Sequence, residues 1–589
     1  MLRRQRVGCL VLLLLALPTS SMSQSPPPPP RTPFRAAVLP GQWRSGVPAS
    51  DALVVPSPIT RDTQVQRVSL KETIAIALEH NPGIAARRLE PTRLGAEVLR
   101  AQGAFDPSFN SELNYARSET PNASVLAGAR ASVVEDRYAN FHLVKMLRTG
   151  TQLSLDSLND RLDNNSAFNQ LRPQYKPEVG FSLVQPLLRG FGWDFSYLVV
   201  RVAEETAEAA VYQYEATLAD FVAQVIETYW GVVRARENLG VQRESKALAD
   251  RTVDENQARV RVGLLPPVAT LEAQADAMAR AEQVIIAENA LRVARQQLAQ
   301  LAYYRPDGTF VPRTLEPAED VVPEDVRVDA DETLGIALAS RPEILASART
   351  VQAQQLGEKA AANGLLPRVD LLGSYGTNAL SGTSRPTSFG SNLKVSRNPI
   401  PGAQCTFLSA DLGYLCRTPP IGDSPFAGSP RDAYARLGEF QSYAVGVRVE
   451  VPFSNAAAEG EYTMSRILRD QAELSHRDLL SRVTLEVEQS VSDVLSSRQR
   501  IDTSRVAREL AVENLRNQEK RHEVGMSTTK DLLDFQTRLT TARAAEVQAK
   551  TDYATAIARW RRAEGRLLAQ YQIVIAHGDQ RSSPWFTRF

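Results

Sequence analysis

The sequence predicts a mainly α-helical chain with membrane β-strands, built as two similar halves. Three observations carry that prediction: a spaced pattern repeated at one offset, helical periodicity sustained far beyond a globular helix, and short strictly alternating segments ahead of each long helical run. Glu72-Thr73 recurs as Glu332-Thr333, and Ile76-Ala77-Leu78 as Ile336-Ala337-Leu338. Pro82, Pro107 and Tyr115 recur as Pro342, Pro367 and Tyr375, all at a shift of 260 residues. Val179-Gly180 with Pro186 returns as Val445-Gly446 with Pro452 at 266, and Val262-Gly263 as Val524-Gly525 at 262. A period this long is a whole structural unit rather than a solenoid repeat.

The elements follow in order. Residues 1–23 read as a signal peptide, with Arg3, Arg4 and Arg6 ahead of the short apolar run Cys9–Leu17 and small residues at Ser21 and Ser23. Residues 24–66, with the run Pro26–Pro30, read as an extended, largely disordered leader. The first repeat spans 67–315 and the second 316–570, with 571–589 as a C-terminal tail. Ser69 with Glu72 forms a capping box for a helix that breaks at Asn81-Pro82 and resumes to about Gln102. Phe109, Ser111, Leu113 and Tyr115 alternate with Asn110, Glu112 and Asn114 at strand period. A polar, turn-rich segment is expected to about Asp136. Tyr138–Leu147 and Thr151–Leu158 form either a further hairpin around Arg148-Thr149-Gly150 or a surface loop. Strands are thus expected between about 105 and 186.

From Ser196 the period turns helical: Val222, Val225, Ile226, Tyr229, Val232 and Val233 share one face. Without proline from Ser196 to Arg261, the helix is roughly 100 Å long at 1.5 Å per residue, the length of a coiled coil. Gly263–Pro267 turns the chain into a second helix, Val268 to Tyr303. The second repeat predicts one helix from Asp331 to Ala362, a strand Val369–Tyr375, and an insertion Gly376–Phe440 rich in Gly, Ser and Pro. The clearest strand follows, with Tyr443, Val445, Val447, Val449 and Val451 on one face and Ala444, Gly446, Arg448 and Glu450 on the other. Strands are expected between about 367 and 452. The hairpin 461–568 closes the repeat, with Val483, Val487, Val491 and Leu495 as its core face and Gly525-Met526-Ser527 as its turn. Gln185-Pro186 and Val451-Pro452 redirect the chain from strand to helix, because proline removes a ladder donor.

A few strands per half cannot satisfy their own edges, and lipid tolerates no open edge, so the strands must close by oligomerisation. Tyr443–Val451 has the lipid-out, lumen-in alternation of a barrel strand. Cys405 and Cys416, 11 residues apart in the insertion, read as one loop disulfide or as two unrelated thiols.

At this point a resemblance becomes specific. Arg521-His522-Glu523-Val524-Gly525-Met526-Ser527-Thr528-Thr529-Lys530-Asp531-Leu532-Leu533-Asp534 is similar to the helical-tip motif of the TolC family of outer-membrane efflux proteins. Its first-repeat counterpart is Arg261-Val262-Gly263-Leu264-Leu265 with Leu271-Glu272-Ala273-Gln274. Gln185-Pro186-Leu187-Leu188-Arg189-Gly190-Phe191-Gly192 resembles a strand-to-helix junction of that family, and Gly364-Leu365-Leu366-Pro367 a helix-to-strand junction. The resemblance implies internally duplicated coiled-coil hairpins plus strands that complete a transmembrane β-barrel only as a trimer, four per protomer. It also implies a periplasmic tunnel, export from a periplasmic adaptor and an inner-membrane pump to the outside, and a body in outer-membrane lipid.

It further implies site residues. Asp531 and Asp534, i and i+3 on one helix face, would form two rings of carboxylates at the gate. A plainer reading makes them acids at the positive end of a helix dipole. The tips Val262, Gly263, Leu264, Val524, Gly525 and Met526 would dock the adaptor, the glycines permitting a tight reversal. The family's acid–arginine–tyrosine lock meets Ala269, Ser527 and His522 here, so that lock is not expected in its usual form. His522 reads as a solvated surface histidine.

Composition argues against other classes. A net charge of +1 gives no footprint for nucleic acid. His80, His142, His476, His522 and His577 fall in no metal or triad spacing, and no phosphate-binding glycine loop occurs. No enzyme activity and no cofactor are expected. A soluble periplasmic coiled-coil adaptor or scaffold is the alternative; it would not explain the alternating segments before both long helices.

Overall fold

The computed structural model describes residues 66–573 and 575, apart from 124–129, 167–168, 306–312, 386–392, 402 and 418–423. The expected signal peptide, the leader as far as residue 65, and most of the tail lie outside the described residues.

The first repeat opens with β1 (Gln66–Val68) and α1 (Leu70–His80). Ser69 caps α1 as a capping box: its Oγ accepts from the Glu72 amide, and its own amide donates to Glu72 Oε2 at 2.8 Å. Asn81 caps α2 (Pro82–Gln102), its Oδ1 accepting from the Gly83 amide at 2.8 Å, with Pro82 at the first helical position, where no amide is needed. Four strands follow: β2 (Ser108–Pro121), β3 (Ala131–Met146), β4 (Gln152–Asn164) and β5 (Leu171–Pro186). A short α3 (Trp193–Ser196) leads into α4 (Leu198–Arg261), 64 residues long, which α5 (Val268–Ala302) reverses before β6 (Leu315–Pro317).

The second repeat has α6 (Ala330–Ser340), α7 (Pro342–Gly364) and β7 (Arg368–Asn378). The insertion contains β8 (Ser381–Ser384), β9 (Leu393–Ser396), β10 (Gln404–Ser409), β11 (Gly413–Arg417) and α8 (Pro430–Ala435). Then come β12 (Phe440–Glu450), α9 (Ala456–Glu523), 68 residues long, α10 (Thr529–Glu564) and α11 (Leu567–Gln570). The helix expected to run unbroken from Asp331 to Ala362 is two helices. Pro342 ends the first at Arg341 just as Pro82 ends α1 at Asn81, and Asp329 caps α6 where Ser69 caps α1.

Each repeat has its own core. In the first, Val222, Val225, Ile226, Tyr229, Val232 and Val233 of α4 are all buried, against Ile74 and Ala77 of α1, Leu298 of α5 and the parallel pair β1–β6. Tyr229 donates to the Val68 carbonyl at 3.3 Å, and burial pushes its phenol up to about 12. In the second, Val483, Val487 and Val491 pack with Val494, Tyr553, Ile557 and Trp560. Leu495, expected in this core, is exposed; Val494, one residue and about 100° earlier on the helix, takes the position. Arg341, almost wholly buried, bonds Glu343 at 3.0 Å and Glu486 at 2.8 Å. Arg562 of α10 reaches Glu343, Glu486 and Asp220, joining α4, α7, α9 and α10.

The principal sheet is antiparallel, in the order β12-β7-β5-β4-β3-β2, with β8 beside β5. Tyr138–Leu147 and Thr151–Leu158 lie in a hairpin inside it, so the sheet has six strands in line rather than the four implied by resemblance. The polar segment expected to about Asp136 is largely strand: β2 runs to Pro121 and β3 starts at Ala131. Here β2 is exposed on both faces, with Arg117 3.3 Å from Glu135 across the pair, and β3 carries Val133 and Val134 on opposite faces; neither strand keeps the two-residue alternation that would announce it. Cys405 and Cys416 face each other across β10–β11 and are bonded.

Candidate functional site: the sheet faces and the helical tips

One face of the sheet is apolar and exposed. Tyr443, Val445, Val447 and Val449 of β12 stand beside Tyr375 of β7, Phe181 of β5 and Leu155 of β4. The other face carries small, polar and charged groups: Arg448 and Glu450 of β12, Asp370 of β7, Ser182 of β5 and Ser154 of β4, with Ser154 Oγ 2.7 Å from Ser182 Oγ. His142 Nδ1 meets Asp156 Oδ1 at 2.8 Å on this polar face. Below the strands, at the strand-to-helix junction, Phe191, Trp193, Phe195 and Phe453 are exposed. Exposed aromatics grouped in this way suit the aromatic belt of a membrane–water boundary.

At the far end of the long helices, the two tips are built alike. In the first, the Leu264 amide donates to Arg259 O at 2.9 Å and the Gly263 amide to Val260 O at 3.0 Å. In the second, the Met526 amide donates to Arg521 O at 2.8 Å and the Gly525 amide to His522 O at 3.1 Å. Both are Schellman motifs, in which a left-handed residue satisfies the last carbonyls; Gly263 and Gly525 sit at φ 77° and 75°. Val262, Leu264, Val524 and Met526 all project into solvent. A groove of about 510 Å³ lined by Gln257, Val260, Arg261, Pro267, Thr270 and Leu271 adjoins the first tip. Gly525→Ala should cost about 1 kcal/mol in backbone strain. It should speed hydrogen exchange at the amides of 523–526 while leaving the core of α9 unchanged.

The aspartates occupy different roles. Asp531 completes a capping box with Thr528, accepting from its hydroxyl at 2.7 Å and its amide at 3.2 Å. Those bonds hold its carboxyl below the ordinary range. Asp531 is thus an acid of the helix's first turn engaged by its cap. Asp534 is exposed on the same helix and has no ion pair among the described residues.

Between the two hairpins near the tips lies a polar seam that the sequence did not single out. Asn256 of α4, fully buried, donates to Ala269 O at 3.1 Å and to Thr529 Oγ1 at 3.3 Å. Gln536 of α10 donates to Thr252 Oγ1 at 3.1 Å. Arg280 of α5 bonds Ser245 Oγ at 2.6 Å, and across the seam Thr537 Oγ1 at 3.3 Å and Leu533 O at 3.4 Å. Arg259 donates to His522 O at 3.1 Å. His522 is buried rather than solvated, its Nδ1 3.1 Å from Ser527 O. Ala269, His522 and Ser527 thus all take part, mainly through backbone carbonyls. Asn256 Oδ1 and Gln536 Oε1 are buried without partners among the described residues, so the seam holds less tightly than an apolar contact of equal area. On sequence alone these residues are polar groups on helices; only the pairing of hairpins some 270 residues apart reveals them.

The outer membrane efflux protein family model matches residues 73–302. The chain is 25% identical over 205 residues to outer membrane protein TolC of Vibrio cholerae, and the match spans 44% of that protein's length. Among solved structures, the Campylobacter jejuni CmeC outer membrane channel superposes with a TM-score of 0.57 at 15% identity, covering 85% of this chain and 86% of that one. The Vibrio cholerae outer membrane protein VceC gives 0.55 at 14%, covering 84% and 96%. The open state of the Neisseria gonorrhoeae MtrE channel gives 0.54 at 16%, covering 85% and 89%. At such identities the superpositions establish the fold alone: duplicated long helical hairpins carrying an open-edged antiparallel sheet. The first repeat thus matches the outer membrane efflux protein family model, and both repeats share the fold of solved outer membrane channels.

Proposed function

We propose that three copies of this chain form an outer-membrane channel-tunnel that carries cargo from a periplasmic adaptor and inner-membrane pump to the outside. The observation that carries the reading is the open-edged sheet with one apolar face, standing on helices of 64 and 68 residues. Lipid covers the apolar face, and neighbouring copies pair with the free edges of β2 and β12. The helices cross the periplasm, about 100 Å at 1.5 Å per residue. A soluble scaffold would leave the apolar face and the aromatic belt in water, which a soluble protein avoids.

In this reading, Leu271, Met278 and Ile285 of α5, seven residues apart and exposed, pack against a neighbouring copy. Val262, Gly263 and Leu264 with Val524, Gly525 and Met526 offer the adaptor two apolar tips and the groove beside the first. The polar seam holds the hairpins together in the closed state. Asp534, without an ion pair among the described residues, contributes most of a ring of three carboxylates that favours cations, and Asp531 contributes less because its oxygens are engaged by Thr528.

The test is the reversal potential of single channels in a salt gradient. Wild type should prefer cations. Asp534→Ala should reduce the cation-to-anion permeability ratio by about twofold or more, and Asp531→Ala by less. A ratio indifferent to both substitutions would move the selectivity element elsewhere.

A further inference from the structure

We propose that the assembled barrel has eighteen strands, six from each copy, rather than the twelve that four per copy would give. The inference rests on the three-copy reading above and turns on whether the hairpin β3–β4 belongs to the wall.

Its side chains are in register with the wall on both faces. Phe109, Leu143, Leu155, Phe181, Tyr375 and Tyr443 are direct cross-strand partners in turn, one from each of the six strands, and all are exposed. The adjacent row on the opposite face reads Asn110, His142, Asp156, Gly180, Gly376 and Ser442. A one-residue slip at any of the five pairings would exchange the faces. A hairpin lying outside the wall as a loop would be under no such constraint.

The apolar band also climbs across the sheet as a barrel requires. On β12 it runs from Tyr443 to Val449 and continues to Val451, centred on Val447; on β2 it runs from Phe109 to Tyr115, centred near Glu112. Measured from the row of Phe109 and Tyr443, the centre rises by roughly seven residues over five strand steps. At about 3.3 Å per residue and 4.8 Å per strand, that is a tilt of about 45°, within the range of membrane barrels. On β3 the exposed apolar residues of this face are Phe141 and Leu143, and on β4 Leu155.

The hairpin is anchored on the helix side. Its turn closes with the Leu147 amide bonding Thr151 O at 2.8 Å, and Gly150 lies at φ 85°. A Cβ on Gly150 would stand 2.5 Å from Gly190 O and 2.7 Å from Ser196 Oγ. The Gly192 amide donates to Thr149 O at 3.3 Å, and Arg148 lies over the Tyr197 ring. The junction 187–192 therefore packs directly against this turn, and Gly150 is the residue that permits the approach. Short turns at the periplasmic end and longer connections at the outer end are the pattern of barrel strands.

Width gives an independent argument. Four helices of each copy meet the sheet: α2, α4, α7 and α9. Twelve helices in three copies, spaced about 8–10 Å apart, form a ring about 31–38 Å across. Eighteen strands at about 4.8 Å spacing and about 45° tilt form a ring about 39 Å across, and twelve about 26 Å. Eighteen strands continue the tube without a step; twelve would pinch it. The barrel would then exclude no cargo that the tube admits, leaving size selection to the tips.

Electron cryomicroscopy of the protein in lipid nanodiscs, with strands counted in cross-section through the membrane, tests this. Single cysteines at Leu143, Leu155 and Ser154, labelled with bimane and exposed to nitroxide-labelled lipid chains, test it independently. Expected are eighteen strands around a threefold axis, and quenching several-fold stronger at 143 and 155 than at 154. Twelve strands with β3–β4 outside the wall, or quenching equal at all three positions, would overturn the inference and leave the channel standing. A ring built from another number of copies would overturn the three-copy reading, and the count of eighteen with it.

Discussion

Arg280→Met should raise the open probability of the channel. Arg280 is buried and is the one charged group of the first hairpin seen to bond both Leu533 O and Thr537 Oγ1 of the second. Methionine keeps the aliphatic bulk and removes the donors. Bonds that cross the seam exist only while the hairpins stay together, so their loss destabilises the closed state and leaves the open state untouched. Truncating a buried charged donor of this kind costs about 2–3 kcal/mol, which is about 30- to 150-fold in the closed-to-open ratio at 1.4 kcal/mol per tenfold. Asp276 keeps partial solvent exposure, and Ser245 retains Thr540 as a partner at 2.9 Å, so neither is stranded. Arg243→Met is the control: its exposed pair with Glu288 lies within the first hairpin and should change opening by less than about twofold. Open probability in planar bilayers reads both. An unchanged Arg280→Met channel would mean that the hairpins do not separate at this seam.

Arg341→Ala should destabilise the second repeat by about 3 kcal/mol, the low end for a broken buried pair because Glu486 is about a third exposed. The change leaves half-buried Glu343 with Arg562 alone at 3.4 Å, and it loosens the joint through which Arg562 ties α4, α7, α9 and α10. Thermal unfolding of the extracted protein measures it. The same cluster sets an acid limit. Burial alone would raise the Glu343 carboxyl, but the Arg341 hydrogen bonds and charge outweigh it and hold the group below its ordinary 4.5. A carboxyl depressed in the folded state contributes stability that is complete above about pH 4.5 and is lost as pH falls through the folded value. Wild type should therefore lose stability below pH 4.5. In Arg341→Ala the loss should begin at higher pH, because burial then acts on Glu343 with less opposition.

What could be read from the sequence was set by local physics. The Ser69–Glu72 box, the break at Asn81-Pro82 and the alternation of Tyr443–Val451 depend on residues within a few positions, and each is visible without the fold. The core face of α4 was legible because six residues at helical spacing meet one packed neighbourhood. Leu495 was misplaced because a coiled-coil face drifts along a long helix, and a fixed four-residue step eventually leaves it. The break at Pro342 lay open to the repeat itself, since Pro82 had already marked its counterpart. The three-residue strands β1 and β6 are too short to carry a period and exist only because residues 66 and 315 meet. The seam was hidden for a deeper reason: Asn256, Arg280 and Gln536 are ordinary helix-surface residues until the second hairpin is laid against the first. The outer parts of β2 and β3 were hidden because β2 is exposed on both faces there and β3 sets Val133 and Val134 on opposite faces, so neither alternates.

The central claim is that this chain is one third of a membrane-spanning channel. Native mass spectrometry of the complex extracted from the outer membrane into lipid nanodiscs tests it most directly. The account predicts a single species of three copies that resists dissociation until heated. A monomer recovered in the aqueous fraction, with no lipid-held species, would contradict it.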